Sequence, residues 1–328
     1  MSRGALTALA YVSAAALALA GRPAVAAADV NDVVIARLAT RISNPDGSTS
    51  VVGQNREFRA LTSQLGVVLA PELLTPADTL GFGGFQLDVT GSQTTIDSKQ
   101  AYWRARAGSP DPGGTAGGAN GPGYLRTIGF FAHKGMWFPL PSFELGAGAV
   151  HLVDSNIWTG QLYAKLALHE GYHDLPIPSV AVRGAVSRMM NQRDLDLTIA
   201  SIDVTISKHF GIGGTWRFDP FVGWNLLLIV PRSQVLDATP EIADDDVNNF
   251  VFHDQSTILR HRIFGGAKFQ YYVFQFTAEV QYALAGTSLD DQTGTNTPCA
   301  PSSTTARCDA KDTAAAQTTV TLSAGVDF

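Results

Sequence analysis

Cysteine is nearly absent from this 328-residue chain, which holds only Cys299 and Cys308. That scarcity excludes a disulfide-dense scaffold and the clustered thiolates of a structural zinc or iron–sulfur site. Charge is also sparse, at 16% of residues, and acidic side chains outnumber basic ones, 29 to 23. No basic stripe is available to neutralise phosphates, so a nucleic-acid partner is excluded. Beyond residue 28 there is no apolar run near the ~20 residues that a spanning helix requires. A chain with this pattern crosses a membrane only as a closed barrel, because lipid offers no partner for unpaired backbone groups. Nor is a calcium loop present. Asp244, Asp245 and Asp246, with Asp237 and Glu241 nearby, lack the spacing and the central glycine, and they read as a solvated acidic loop. No metal or cofactor is expected.

What is present begins with a leader. Arg3 supplies a positive start, residues 5–20 are apolar, and small residues follow through Ala28. These are the three parts of a secretory signal peptide, with cleavage expected after Ala26 or Ala28. In an exported protein the default reading of Cys299 and Cys308 is a disulfide closing a loop. Residues 29–80 are less legible. Phe58, Leu61, Leu65 and Val68 have helical spacing, Gly66 interrupts them, and three readings stay open: an N-terminal arm, a plug in a lumen, or additional strands.

From residue 81 onward the dominant signal is a period of two. Phe85, Leu87 and Val89 alternate with Gln86, Asp88 and Thr90, and the ninth such segment, around 272–284, is as regular. Around 194–208 the apolar parity switches, from Leu195, Leu197 and Ile199 to Ile202, Val204 and Ile206, which predicts a β-bulge near Ala200 and Ser201. Pro220 falls inside a strand pattern and has no N–H to give to a ladder, which predicts a bulge or an irregular pair there. Ten strands are counted, with 8–12 as the range. The long connections, 97–123, 231–254 and 285–315, all follow odd-numbered strands.

The last strand carries the most specific sign. Val320, Leu322, Ala324, Val326 and the terminal Phe328 share one face, and small or polar residues take the other. This resembles the closing strand of Gram-negative outer-membrane β-barrels. The resemblance covers the leader and residues 82–328 at the level of the class. It implies an all-β transmembrane antiparallel barrel with long extracellular loops, both chain ends on the periplasmic side, and an aromatic girdle including Trp137, Trp216, Phe269 and Tyr271. It also implies Val320, Leu322, Val326 and Phe328 as the assembly signal read by the barrel-assembly machinery. Outer-membrane lipid and lipopolysaccharide follow as partners, and the bacterial outer membrane as the location.

The inward row contains Gln86, Asp88, Lys165, Arg183, Arg217, Gln275, Glu279 and Gln281. Such residues are costly in a dry core and tolerable in a hydrated lumen. The expected function is a narrow channel for small solutes, or a structural or surface-interaction protein, and not an enzyme. Two alternatives stand beside it. One is an outer-membrane hydrolase at the extracellular rim, where His253 and Asp254 are the best candidates. His169, His173 and Asp174 read as solvated turn residues, and the acid pairs of omptin proteases have no match on the required strands. The other alternative is a secreted soluble all-β protein.

Overall fold

A computed structural model describes residues 28–43, 45–47, 49–115, 117–137, 142–170, 177–213, 215–237, 249–252, 254–289 and 311–328. The leader, the cysteine pair, His173, Asp174, His253 and the acidic run 244–246 lie outside these residues. The first elements are a small hairpin, β1 (Ala39–Ser43) with β2 (Thr49–Gly53), and one helix, α1 (Asn55–Val68). An extended strap, 69–84, leads from the helix to the barrel. The barrel strands are β3 (Phe85–Thr95), β4 (Tyr124–Met136), β5 (Phe143–Leu152), β6 (Trp158–His169), β7 (Ser179–Met190) and β8 (Leu195–Ser207), followed by β10 (Trp216–Ser233), β13 (Ile258–Tyr271), β14 (Phe274–Ala283) and β15 (Gln317–Asp327). Besides the β1–β2 hairpin, three more short strands lie outside the wall: β9 (Phe210–Ile212), beside the start of β10, and the pair β11 (Leu236–Asp237) and β12 (Asn249–Phe250).

Every wall pairing is antiparallel, and two pairings close the circle. β15 pairs with β3, and β10 pairs with β13 from Trp216↔Tyr271 to Ile229↔Ile258. The result is a closed ten-stranded barrel, the number expected from alternation. Residues Phe85 and Phe328 exchange backbone hydrogen bonds of 2.9 and 2.8 Å, so the barrel starts and finishes at one end. The three long connections leave the other end, because they follow β3, β10 and β14.

The outer wall is apolar. Ile128, Phe130, Leu162, Val222, Ile263, Phe276, Val280, Val320 and Leu322 are all exposed on it. Water disfavours such a continuous belt, whereas hydrocarbon accommodates it. Aromatic side chains gather toward the Phe328 end, where Trp216 packs on Tyr271 and Phe218 on Phe269. Among the described residues no helix is long and apolar enough to cross a membrane.

Two expectations need correction. β8 contains no bulge: its register against β7 and β10 runs without a shift through Ala200 and Ser201. Leu195, Leu197 and Ile199 instead point inward and are buried, while Ile202, Val204 and Ile206 point outward. The parity of apolar residues changes because the environment of the inward row changes, from packed helix to polar lumen. The irregularity lies in β6, between Ala167 and His169. Pro220 is accommodated inside a regular ladder with β13, opposite Ala267. Its carbonyl accepts from the Lys208 N–H at 3.2 Å, so its missing donor faces β8 just beyond the last pair, Phe221↔Ser207.

Candidate functional site: the occupied lumen

The interior divides into an apolar upper half, near the long connections, and a charged lower half. In the upper half α1 is enclosed on all sides. Phe58, Leu61 and Leu65 are fully buried and share one core with inward Leu152, Leu197, Ile199, Leu227, Ile229 and Ile258. The helix closes on the loop after β3 as well. Trp103 is buried, and its indole N–H donates to Gln64 Oε1 at 2.7 Å. Polar side chains on α1 also find partners. Arg59 donates to Ser256 O at 2.9 Å and to Ser288 Oγ at 3.0 Å, and Ser63 donates to Asp312 Oδ2 at 2.6 Å while accepting from Arg260 Nη1 at 2.8 Å. Burial pushes the Asp312 carboxyl above its ordinary range, against the opposing pull of the Ser63 hydroxyl and the Arg260 and Arg59 guanidiniums. Glu57, paired with Arg104 at the mouth, is pushed up by burial in the same way.

Below the helix the strap forms no regular ladder, so its carbonyls need side-chain donors from the wall. They have them. Ser187 Oγ donates to Leu69 O at 2.8 Å, Gln161 Nε2 to Ala70 O at 3.3 Å, and Arg262 Nη2 to Pro71 O at 3.2 Å. Lys165 Nζ donates to Pro76 O at 3.2 Å and Asp78 O at 2.9 Å, and Leu80 N–H donates to Glu144 Oε2 at 3.1 Å. The strap therefore descends the lumen from α1 to Phe85, touched by strands β3, β5, β6, β7, β8, β10 and β13.

The inward residues read from alternation occupy these positions. Gln86, Asp88, Lys165, Arg183, Gln275, Glu279 and Gln281 are buried inside the wall. Arg217 is half-exposed at the lower rim, where β9 has replaced β8 as neighbour, and its Nε donates to His209 at 3.2 Å. Charges are paired across strands rather than left facing water. Arg183 meets Asp203 at 2.9 Å, and Lys165 meets Glu144 at 3.1 Å. A hydrogen-bonded chain runs from Asp88 through His133 and Tyr163 to Glu144, with Asp88–His133 at 2.9 Å and Tyr163–Glu144 at 2.6 Å. Gly146 and Gly148 make room for it, since a Cβ at either would run into the Tyr163 or Phe131 ring. Sequence reasoning left out His133, Glu144, Asp203, Arg262 and Lys268. Their inward parity was readable only once β4, β5, β8 and β13 had been placed in register.

Little open space remains. A space of about 20 Å³ beside Glu72, Asp88 and His133 is room for one water at most. At the lower end a cavity of about 340 Å³ opens between the strap and the wall, bordered by Asp78, Lys268, Asp219 and Asp327. Among the described residues no cluster of ligating side chains has the make-up of a metal site. Of the hydrolase candidates, Asp254 is exposed at the mouth. The assembly-signal residues Val320, Leu322 and Phe328 face outward and are exposed, and Val326 is half-buried.

No protein-family model matches the chain, and a search of curated proteins finds no match. Among solved structures it is similar to Neisserial surface protein A, at 10% identity and a TM-score of 0.29, over 74% of this chain and 94% of that one.

Proposed function

We propose that this chain is an integral outer-membrane β-barrel that is sealed by its own residues 54–80 and acts as a structural or surface-interaction protein. The observation that carries this reading is the strap, whose carbonyls are held by Ser187, Gln161, Arg262 and Lys165 of three wall strands, β7, β6 and β13. A channel needs a continuous aqueous path, and ten strands enclose little more than their own side chains. Here the helix and strap take that space. The wall serves as an anchor, and the cap above it, built from the β1–β2 hairpin, residues 97–115 and the β11–β12 pair, is the part that meets the exterior. On this reading the partners are lipid and lipopolysaccharide around the belt and the assembly machinery at Phe328, and the protein catalyses no reaction. Membrane fractionation with liposome swelling tests it. Recovery in the outer-membrane fraction with swelling in small sugars no faster than protein-free liposomes is expected. Swelling that slows with sugar size, as through a pore, would overturn the sealed reading.

A further inference from the structure

The barrel begins at Phe85 beside Phe328, yet the chain that precedes Phe85 does not stay at that end. Residues 69–84 pass up the lumen, α1 continues to the mouth, and residues 29–38 are fastened among the connections of the opposite end. Asn31 donates its backbone N–H to Asp154 O at 2.8 Å and its side-chain amide to Val153 O at 2.6 Å, both in the β5–β6 connection. Asp32 is buried, and it accepts from the Asn156 N–H and the Asn156 side chain, each at 2.7 Å. The loop after β3 takes the other side. Val34 N–H donates to Ala105 O at 2.7 Å, Ala107 N–H to Asp32 O at 2.8 Å, and Arg37 to Arg106 O at 2.6 Å. Arg106 returns a hydrogen bond to Asn31.

We infer that the amino end of the exported chain is presented on the outer face of the membrane, so that this barrel carries a segment of its own polypeptide across and displays it. The inference rests on the proposed orientation, with Phe328 toward the periplasm. A return path is closed: Leu61 and Leu65 have no exposed surface inside the barrel, leaving no lane for a second strand beside α1. Reach is not limiting, since an extended strap of this length covers ~50 Å, against an apolar belt of ~25 Å. Holding residues 29–38 on the periplasmic side would strip Asp32, Asn31 and Arg37 of their partners and empty the lumen. Such a barrel works as a display frame, in which polypeptide placed ahead of Val30 arrives outside without a separate secretion device.

The test is epitope labelling of intact cells producing the full chain. One epitope is inserted directly after Asp29, a second at exposed Val235 on the long-connection end, and a third in the Tyr272–Val273 turn. The result expected is antibody labelling of the first two on intact cells and of the third only after permeabilisation. Labelling at Val235 but not after Asp29, with the latter appearing on permeabilisation, would overturn the inference and leave the orientation standing. Reversed labelling of Val235 and the turn would overturn the orientation and the inference with it. A second variant, Asn31→Ala with Asp32→Ala, should speed removal of residues 29–38 by protease added to intact cells several-fold, with the barrel still heat-modifiable on gels. No change in that rate would count against the anchoring contacts.

Discussion

Gly66 of α1 lies flush against Ile229 of β10: a Cβ added to Gly66 would stand 2.6 Å from Ile229 Cδ1. The glycine that interrupts the helical pattern is thus a point of close approach between helix and wall. Alanine there gains ~1 kcal/mol of helix propensity and loses ~1–3 kcal/mol to overpacking. Gly66→Ala should therefore be neutral to mildly destabilising, while Gly66→Leu should expel the helix. Thermal unfolding in detergent, together with protease protection of residues 55–68, checks both.

The same contact explains how much was legible beforehand. Wall strands follow from alternation because one side always meets lipid, and this holds for Val89, Val280 and Leu322 regardless of what fills the interior. The inward side has no such constancy. Leu195, Leu197 and Ile199 are inward and apolar because α1 lies on them, so the switch of parity in β8 marks the depth of the helix and mimics a bulge. The reading of α1 stays open because Gly66 breaks its apolar spacing, and because Arg59, Ser63 and Gln64 opposite that stripe look like a solvated face unless wall partners such as Asp312 are known. The charged pairs could not be read from one strand at a time, because Arg183 meets Asp203 only through the β7–β8 register.

That pair provides a second prediction. Arg183 and Asp203 are both fully buried, and removing one partner leaves an uncompensated charge, at a cost of ~3–5 kcal/mol. Asp203→Ala should destabilise the barrel by that order. The double change Arg183→Met and Asp203→Leu should recover most of the loss. Denaturant midpoints of the three proteins in detergent decide it, and an additive double variant would contradict the pairing.

A third concerns pH at the mouth. Burial raises the Asp312 carboxyl above its unfolded value, so the folded state holds this proton more tightly than the unfolded chain does. Its contribution to stability is fully present below the unfolded value and is lost as pH rises through the raised folded one. Protection of α1 amides in hydrogen exchange should therefore increase on mild acidification in the wild type. Asp312→Asn should flatten that dependence, and an unchanged slope would remove Asp312 as its origin.

The seam supplies a fourth. Phe85 and Phe328 exchange both of their backbone hydrogen bonds, and the Phe328 ring faces lipid. Deleting Phe328 removes the last pair that joins β15 to β3 and the aromatic end of the outer row. Heat-modifiable protein in the outer-membrane fraction should fall several-fold, with Phe328→Tyr close to wild type. Unaltered insertion of the deletion would show that the terminal residue is not read during assembly.

Single-channel recording in planar bilayers tests the occupied lumen most directly. The full chain should give no conductance steps above the lipid background. A variant lacking residues 54–80, verified as heat-modifiable, should give discrete open levels through the vacated interior. Steps of equal size from both proteins would contradict the claim that the helix and strap seal the barrel.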